Sequence, residues 1–233
     1  MTRPGASALA RRPSELSALR AGPGDLVSAT PAPAPTSRRR AAPRPEGSPP
    51  GFPGVVADTR EQTPWFLGEP WCQVGTLQIG DYSLRGHEAR PAILSPGMVA
   101  VERKSLEDLY GTVSASVKEK AEQEKAGEAD PTGRGERQWR KLSSVVAAGG
   151  GALFVVEASM TEILHPDRYR PDWRSQLHPH AVLGCLNSWS LRYRVPWLPA
   201  GPPAQAAQVA LSWLVDWWKQ WRRAELARLE EEI

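Results

Sequence analysis

A mixed-sheet α/β domain is what this sequence predicts, on three observations. Short apolar or β-branched runs bounded by Gly and Pro have strand length: Val55 to Asp58, Leu77 to Leu84, Met98 to Lys104 and Ala152 to Glu157. Longer segments suit helices: Ser105 to Glu128, Glu136 to Ala148, Pro179 to Tyr193, and Ala204 to about Glu232. The two kinds alternate along the chain, with hairpin-length gaps among the early strands, and that order describes a mixed sheet flanked by helices.

The elements follow in order. Residues 1–52 are rich in Pro, Ala, Arg, Ser and Gly and carry no sustained apolar period. Pro31, Pro33 and Pro35 alternate with alanine, as in polyproline-like or flexible chain. This segment is expected to be a disordered basic tail, and residues 53–233 the folded domain. Val55 to Asp58 is the first strand and Leu77 to Leu84 the next. Ala92, Ile93 and Leu94 are expected to form an intervening strand or hairpin arm before the strand from Met98 to Lys104. The helix opened by Ser105 has a weak point at Ser114 to Ser116. Asp130 to Gly135 is a loop. Gly149, Gly150 and Gly151 close the second helix. They form no P-loop, because no Gly-Lys-Ser/Thr follows. A buried strand, a helix and a short strand, Val195 to Leu198, come next. In the last helix Val209, Trp213, Trp217 and Trp221 recur every fourth residue and share a face. Core packing is the first reading of that stripe. Leu214 and Trp218 broaden it, so the second reading is a homodimer surface on the tryptophan-rich helix.

Composition removes several function classes. Hydrophobic residues make up 40% of the chain, enough for a core, but no run of eighteen apolar residues exists and no membrane span is expected. The N-terminus lacks the apolar stretch of a secretory signal. Cys72 and Cys185 give neither a CxxC nor a disulfide framework, and they suit free thiols in a reducing cytoplasm. His178 and His180 lack Cys or Glu partners at ligand spacing, so a role at a helix start is expected of them. The net charge of +3 is uneven. The first fifty residues hold eight arginines, Arg38, Arg39 and Arg40 among them, against Glu15, Asp25 and Glu46, which leaves the rest net acidic. Arg168, Arg170, Arg174, Arg192 and Arg194 form a local basic set beside aromatic residues, and phosphate contacts need local charge rather than a high global pI.

The chemistry concentrates at Gly80-Asp81 and Glu102-Arg103-Lys104. Adjacent strands would set the carboxylates of Asp81 and Glu102 side by side. Alternation along a strand gives Glu102 and Lys104 one face and Arg103 the other. Three charges directly after the apolar run Met98 to Val101 are costly unless paired or bound to an ion. Two carboxylates and an ammonium on one face suit phosphodiester hydrolysis. The carboxylates can hold a hard divalent cation such as Mg²⁺. Such a cation acidifies water and neutralises phosphate charge. The lysine can orient the water or stabilise developing charge. Asp108 with Ser105 reads as a helix capping box.

With Gly80-Asp81 upstream and Glu102-Arg103-Lys104-x-x-x-Asp108 downstream, the sequence resembles the XPF-type structure-specific DNA endonucleases, a branch of the restriction-endonuclease-like fold. A second block agrees, since Val55 to Glu61 looks like the family's first strand followed by Arg-Glu. Weaker likeness runs through Arg137, Gln138 and Leu142, the strand Ala152 to Glu157 and the helical end, roughly residues 54–221. The resemblance implies Asp58, Asp81 and Glu102 around Mg²⁺, for which Mn²⁺ would substitute. It implies Glu61 as a nearby helper and catalytic roles for Lys104 and Arg103. It further implies a DNA substrate that is branched, flapped or a single-strand/double-strand junction, met in repair or recombination. Asp130 to Gly135 would then face DNA, and the arginines of the tail could touch it nonspecifically. Two alternatives stand beside this reading. One is a non-catalytic DNA-binding or scaffolding subunit, although such partners lose the acids kept here. The other is a sequence-specific restriction-type endonuclease, which shares D…ExK but not the extended motif.

Overall fold

The computed structural model describes residues 44–232; the expectations made for residues 1–43 lie outside them. The strands are β1 Val55–Asp58, β2 Cys72–Gly75, β3 Tyr82–Leu84, β4 Val99–Ser105, β5 Gly151–Glu157 and β6 Trp197–Pro199. The helices are α1 Leu106–Lys125, α2 Arg134–Ala147, α3 Met160–Leu164, α4 Pro166–Tyr169, α5 Pro179–Tyr193 and α6 Pro203–Glu231. The strands form one mixed sheet in the order β2-β1-β3-β4-β5-β6. β3 runs antiparallel to β1 and β4, while β2 on β1, β5 on β4 and β6 on β5 are parallel. This is the helix-flanked mixed α/β sheet that the strand and helix pattern predicts.

The centre of the sheet is dry on both faces. β5 is buried along its whole length, as a continuous apolar run in a parallel pair requires. On one face Trp139 of α2 stacks on Phe154 of β5 and packs with Leu106, Leu109, Leu142 and Leu186 from α1, α2 and α5. On the other face Leu214 and Trp218 of α6 meet Val99, Val101, Leu153 and Val155. Burial of this kind is worth about 25 cal/mol per Å² of apolar surface, which is why the two helical layers hold the sheet.

Several elements differ from their expectation. Pro91–Ile93 is a 3-10 turn rather than a strand, with the proline in its first turn and no buried residue. Proline removes a ladder donor, and nothing apolar here is pulled inward. β2 escapes the sequence reading because it is a half-exposed edge of four residues. Only the end of the Leu77 to Leu84 run makes a ladder, though Leu77 and Ile79 are buried. α1 runs unbroken past Ser114. Ser116 is buried and its Oγ accepts a hydrogen bond from Gly135 N, 2.5 Å away. Gly133 and Gly135 leave no room for a Cβ against Ser116, so the α1–α2 crossing depends on both glycines. The helix α2 begins at Arg134, inside the predicted loop. α3 opens with a Ser159/Glu162 capping box, a local pattern also visible in the sequence. Pro45, Ser48 and Phe52 are buried, and Phe52 meets Trp218 edge-on, so packing starts within the segment assigned to the tail.

The α6 stripe is also resolved. Ala206, Ala210, Leu214 and Trp218 form its buried row. Trp213, Trp217 and Trp221 are the half-buried shoulder. Trp217 lies against Gly151 and Trp221 against Gly97, and His87 sits edge-on to both rings. Trp218 is therefore a core residue, in line with the first reading of the stripe and not with the second, which set it on a dimer surface. His178 caps α5, its Nδ1 accepting from His180 N at 3.3 Å, as the sequence suggested. Among the described residues no helix is long and apolar enough to cross a membrane.

Candidate active site

The site forms where β3 enters and β4 leaves the middle of the sheet. Gly80 has φ +77°, and a Cβ there would stand 2.9 Å from Val101 O. Only glycine lets the chain turn this close to β4. The turn allows Asp81 N to donate to Val101 O at 2.8 Å, and Asp81 Oδ2 accepts from Arg103 N at 2.8 Å. The aspartate is thereby fixed to the backbone of β4 beside Glu102. Glu102 is 5% exposed; its Oε1 accepts from Gln138 Nε2 of α2 and lies 3.5 Å from Lys104 Nζ.

Burial raises the Glu102 pKa well above the ordinary carboxylate range, and the charge of Asp81 raises it further; Lys104 offsets only part of this. Burial also raises Asp81. The Arg103 N–H works against that shift, while the charge of Glu61 adds to it. Each carboxyl thus bears on the ionisation of the other.

A polar pocket of about 330 Å³ opens onto this pair. Asp81, Glu102 and Lys104 line it together with Arg60, Arg134, Arg137, Gln138 and Lys141. Positions 134, 137, 138 and 141 fall on one face of α2 by helical spacing. Arg60, Arg134 and Lys141 were not singled out from the sequence, although the spacing along α2 was there to be read.

Arg103 points to the opposite face, as alternation requires. Its guanidinium makes two hydrogen bonds to Glu157, at 2.9 and 3.2 Å, and one to Glu61 at 2.6 Å, with its carbon 5.3 Å from the centre of the Trp65 ring. Glu61 thus belongs to the Arg103 side of β4, where Tyr82 OH also donates to it at 3.4 Å. Asp58 is fully buried and spends both oxygens internally. Oδ1 accepts from Arg60 N and Nε at 2.8 and 2.6 Å, and Oδ2 from Leu77 N and Arg60 Nη2 at 2.6 and 3.2 Å. Burial opposes its ionisation, but these bonds more than offset that and hold its pKa below the usual value. Ser105 Oγ caps α1 by accepting from Asp108 N at 3.0 Å, which gives Asp108 a local helical role. The basic set around Arg168 lies elsewhere: Arg170 pairs with Glu107 and Arg192 with Glu136.

The structure thus brings together Asp81, Glu102 and Lys104 in one pocket and sets Asp58, Glu61 and Arg103 apart from that trio. Among the described residues no group of three or more His, Cys, Asp or Glu side chains is arranged around a common point. A cation here would draw on two carboxylates.

Paired carboxylates and a lysine at the middle of a mixed α/β sheet, facing a basic helix, are a side-chain set that suits a nuclease site. The chain belongs to the ERCC4 domain family, a nuclease family, whose model matches residues 58–212. No curated protein matches the sequence significantly. Among solved structures the chain is similar to XPF from Aeropyrum pernix, with 21% identity and a TM-score of 0.41 over 70% of this chain and 60% of that one. It is also similar to XPF from Aeropyrum pernix in complex with DNA, with 22% identity and a TM-score of 0.40 over 69% of this chain and 62% of that one. The chain spans less than two thirds of the length of either structure.

Proposed function

We propose that this chain is a Mg²⁺-dependent DNA endonuclease acting on branched or flapped DNA in repair or recombination, with Mn²⁺ able to replace Mg²⁺. The observation that carries this reading is the adjacent Asp81–Glu102 pair with Lys104 beside it, in a pocket whose other charged lining residues are all cationic. Two carboxylates raised by burial and mutual repulsion are a donor set that a hard divalent cation relieves. Asp81 and Glu102 would hold the cation, which supplies charge neutralisation at phosphate and a more acidic water. Asp81 is aimed by the N–H of Arg103, and Glu102 by the amide of Gln138. Lys104 orients the attacking water and stabilises negative charge as it grows on the phosphate. Arg134, Arg137 and Lys141 neutralise the phosphates that flank the scissile bond. The water oxygen bonds to phosphorus as the bond to the 3′ oxygen breaks, leaving a 5′ phosphate. A cytoplasmic location, beside the DNA, is part of the same proposal.

Supercoiled, linear and flap DNA should be cut in Mg²⁺, flap DNA fastest, and a chelator should stop the reaction. A chain that cuts none of these in Mg²⁺ or Mn²⁺, or that cuts equally well with chelator, is not this enzyme. Lys104→Ala should lower the single-turnover rate by about 10²-fold while leaving Mn²⁺ affinity in place, since an ammonium cannot ligate a cation. An unchanged rate assigns Lys104 to the surface charge alone.

The homodimer through α6 stands as part of the same proposal. Its surface would be the exposed Leu226 and Leu229 on the last turns, not the buried Trp218. Light scattering that reports a monomer at all concentrations defeats it.

A further inference from the structure

The geometry points to Arg60 as a clamp on a substrate backbone phosphate, with Asp58 as the carboxylate that orients it rather than a cation ligand. The inference rests on the nuclease reading for the identity of the ligand, and on the structure for the rest.

Arg60 sits in the turn after β1, next in space to the acidic pair but on a different element from the α2 cations. Its side chain is 68% exposed, yet it is held at three points. Nε and Nη2 grip Asp58, and Nη2 also donates to Leu77 O at 3.0 Å. Nη1 has no partner among the described residues, so its two N–H groups are free for an acceptor. The guanidinium is close enough to Asp81 and Glu102 to interact with their charges, and its own pKa is raised, first by the Asp58 bond. Long exposed arginines ordinarily lose side-chain rotamer freedom when fixed by a ligand. Here Asp58 has removed that freedom in advance, the pre-organisation a phosphate contact at a reacting centre needs.

Asp58 fits the orienting role and not the ligating one. Its carboxylate is inaccessible, and four hydrogen bonds occupy both oxygens. To reach a cation beside Asp81 it would have to surrender Leu77 N or the Arg60 grip. With Arg60 on one element and Arg134, Arg137 and Lys141 on another, the pocket offers phosphate contacts from two separate sources. A backbone running past Asp81 and Glu102 would be held on both.

The test reads binding rather than cleavage, by fluorescence anisotropy of a labelled flap duplex over a salt series and by Mn²⁺ titration. Arg60→Ala should weaken DNA binding about tenfold and reduce the slope of log affinity against log salt by about one phosphate contact. Its Mn²⁺ affinity should stay within threefold of wild type. Arg60→Lys should restore the salt slope but not the affinity, because lysine cannot make the two-pronged bond to Asp58. Asp58→Asn should copy Arg60→Ala, and the double variant should be no worse than either single one. Wild-type DNA binding by Arg60→Ala overturns the clamp. A folded Asp58→Asn that loses Mn²⁺ tenfold overturns the orienting role and makes Asp58 a ligand. If Asp58→Asn does not fold, the two Arg60 variants decide on DNA affinity alone. A chain that binds DNA with this Arg60 dependence but never cuts it sinks the nuclease reading and leaves the clamp standing. A wild-type chain that does not bind DNA sinks both.

Discussion

Glu102→Gln is expected to abolish cleavage, by at least about 10²–10³-fold in single turnover, while making the cation-free protein more heat-stable at neutral pH. The amide keeps the shape of the side chain and can still accept from Gln138 and Lys104, but it removes a charge that burial and Asp81 disfavour. Its N–H₂ can also donate to the neighbouring Asp81 carboxylate, which an ionised glutamate cannot do. The folded pKa of Glu102 lies above its unfolded value, so the fold binds more protons there than the unfolded chain does. Its contribution to stability is fully present below the unfolded value and is lost as pH rises through the folded one. The glutamine escapes this loss. Its advantage in Tm should therefore be small below the ordinary carboxylate range and widen toward neutral pH. Added Mg²⁺ or Mn²⁺ should reverse the order, because only the wild type gains from ligation. Equal Tm at every pH would show that the glutamate is not strained by its surroundings. Retained cleavage would remove it from the site altogether.

The meeting of Asp81, Glu102 and Lys104 in one pocket was legible because it obeys a local rule. A run of four apolar residues followed by Glu-Arg-Lys fixes which side chains share a face, and the glycine before Asp81 marks a close approach of backbones. Asp58 was not legible in the same way. It ends a buried strand next to an arginine, which suits a ligand or an internal partner equally. What decides is the path of the following turn, which brings Leu77 N to its second oxygen. Arg134 and Lys141 became visible only once α2 was known to cross the end of β4. Which row of α6 lies deepest was not legible, for a different reason. Two rows of four-residue spacing run side by side on that helix, one with three tryptophans and one with Ala206, Ala210, Leu214 and Trp218. Weight of hydrophobic surface favours the first row, but small residues let a helix approach a sheet. The alanines therefore face inward, and the tryptophans settle over Gly151 and Gly97.

Trp218 accordingly makes the second large prediction. It is 7% exposed, meets Phe52 edge-on with ring centres 6.2 Å apart, and lies 3.6 Å from where a Cβ on Gly51 would stand. It joins α6 to the segment before β1, over the face of the sheet formed by Val99, Val101 and Val155. Trp218→Ala should cost about 3–5 kcal/mol. At roughly 2–4 °C per kcal/mol for a domain of this size, Tm should fall by about 10 °C. Trp218→Glu would bury a carboxylate among the apolar side chains of this layer. That variant should show no cooperative melting transition by circular dichroism. Trp217→Ala removes a half-buried ring and should lower Tm by less than Trp218→Ala does. A deletion that ends before Pro45 should leave the domain intact, whereas one that removes Phe52 should cost stability, and cost more when Trp218 is present than when it is already alanine, because the two rings share one contact. A Trp218→Glu protein that melts like the wild type would place the ring in solvent, return α6 to the role of an open partner surface and detach residues 45–52 from the fold.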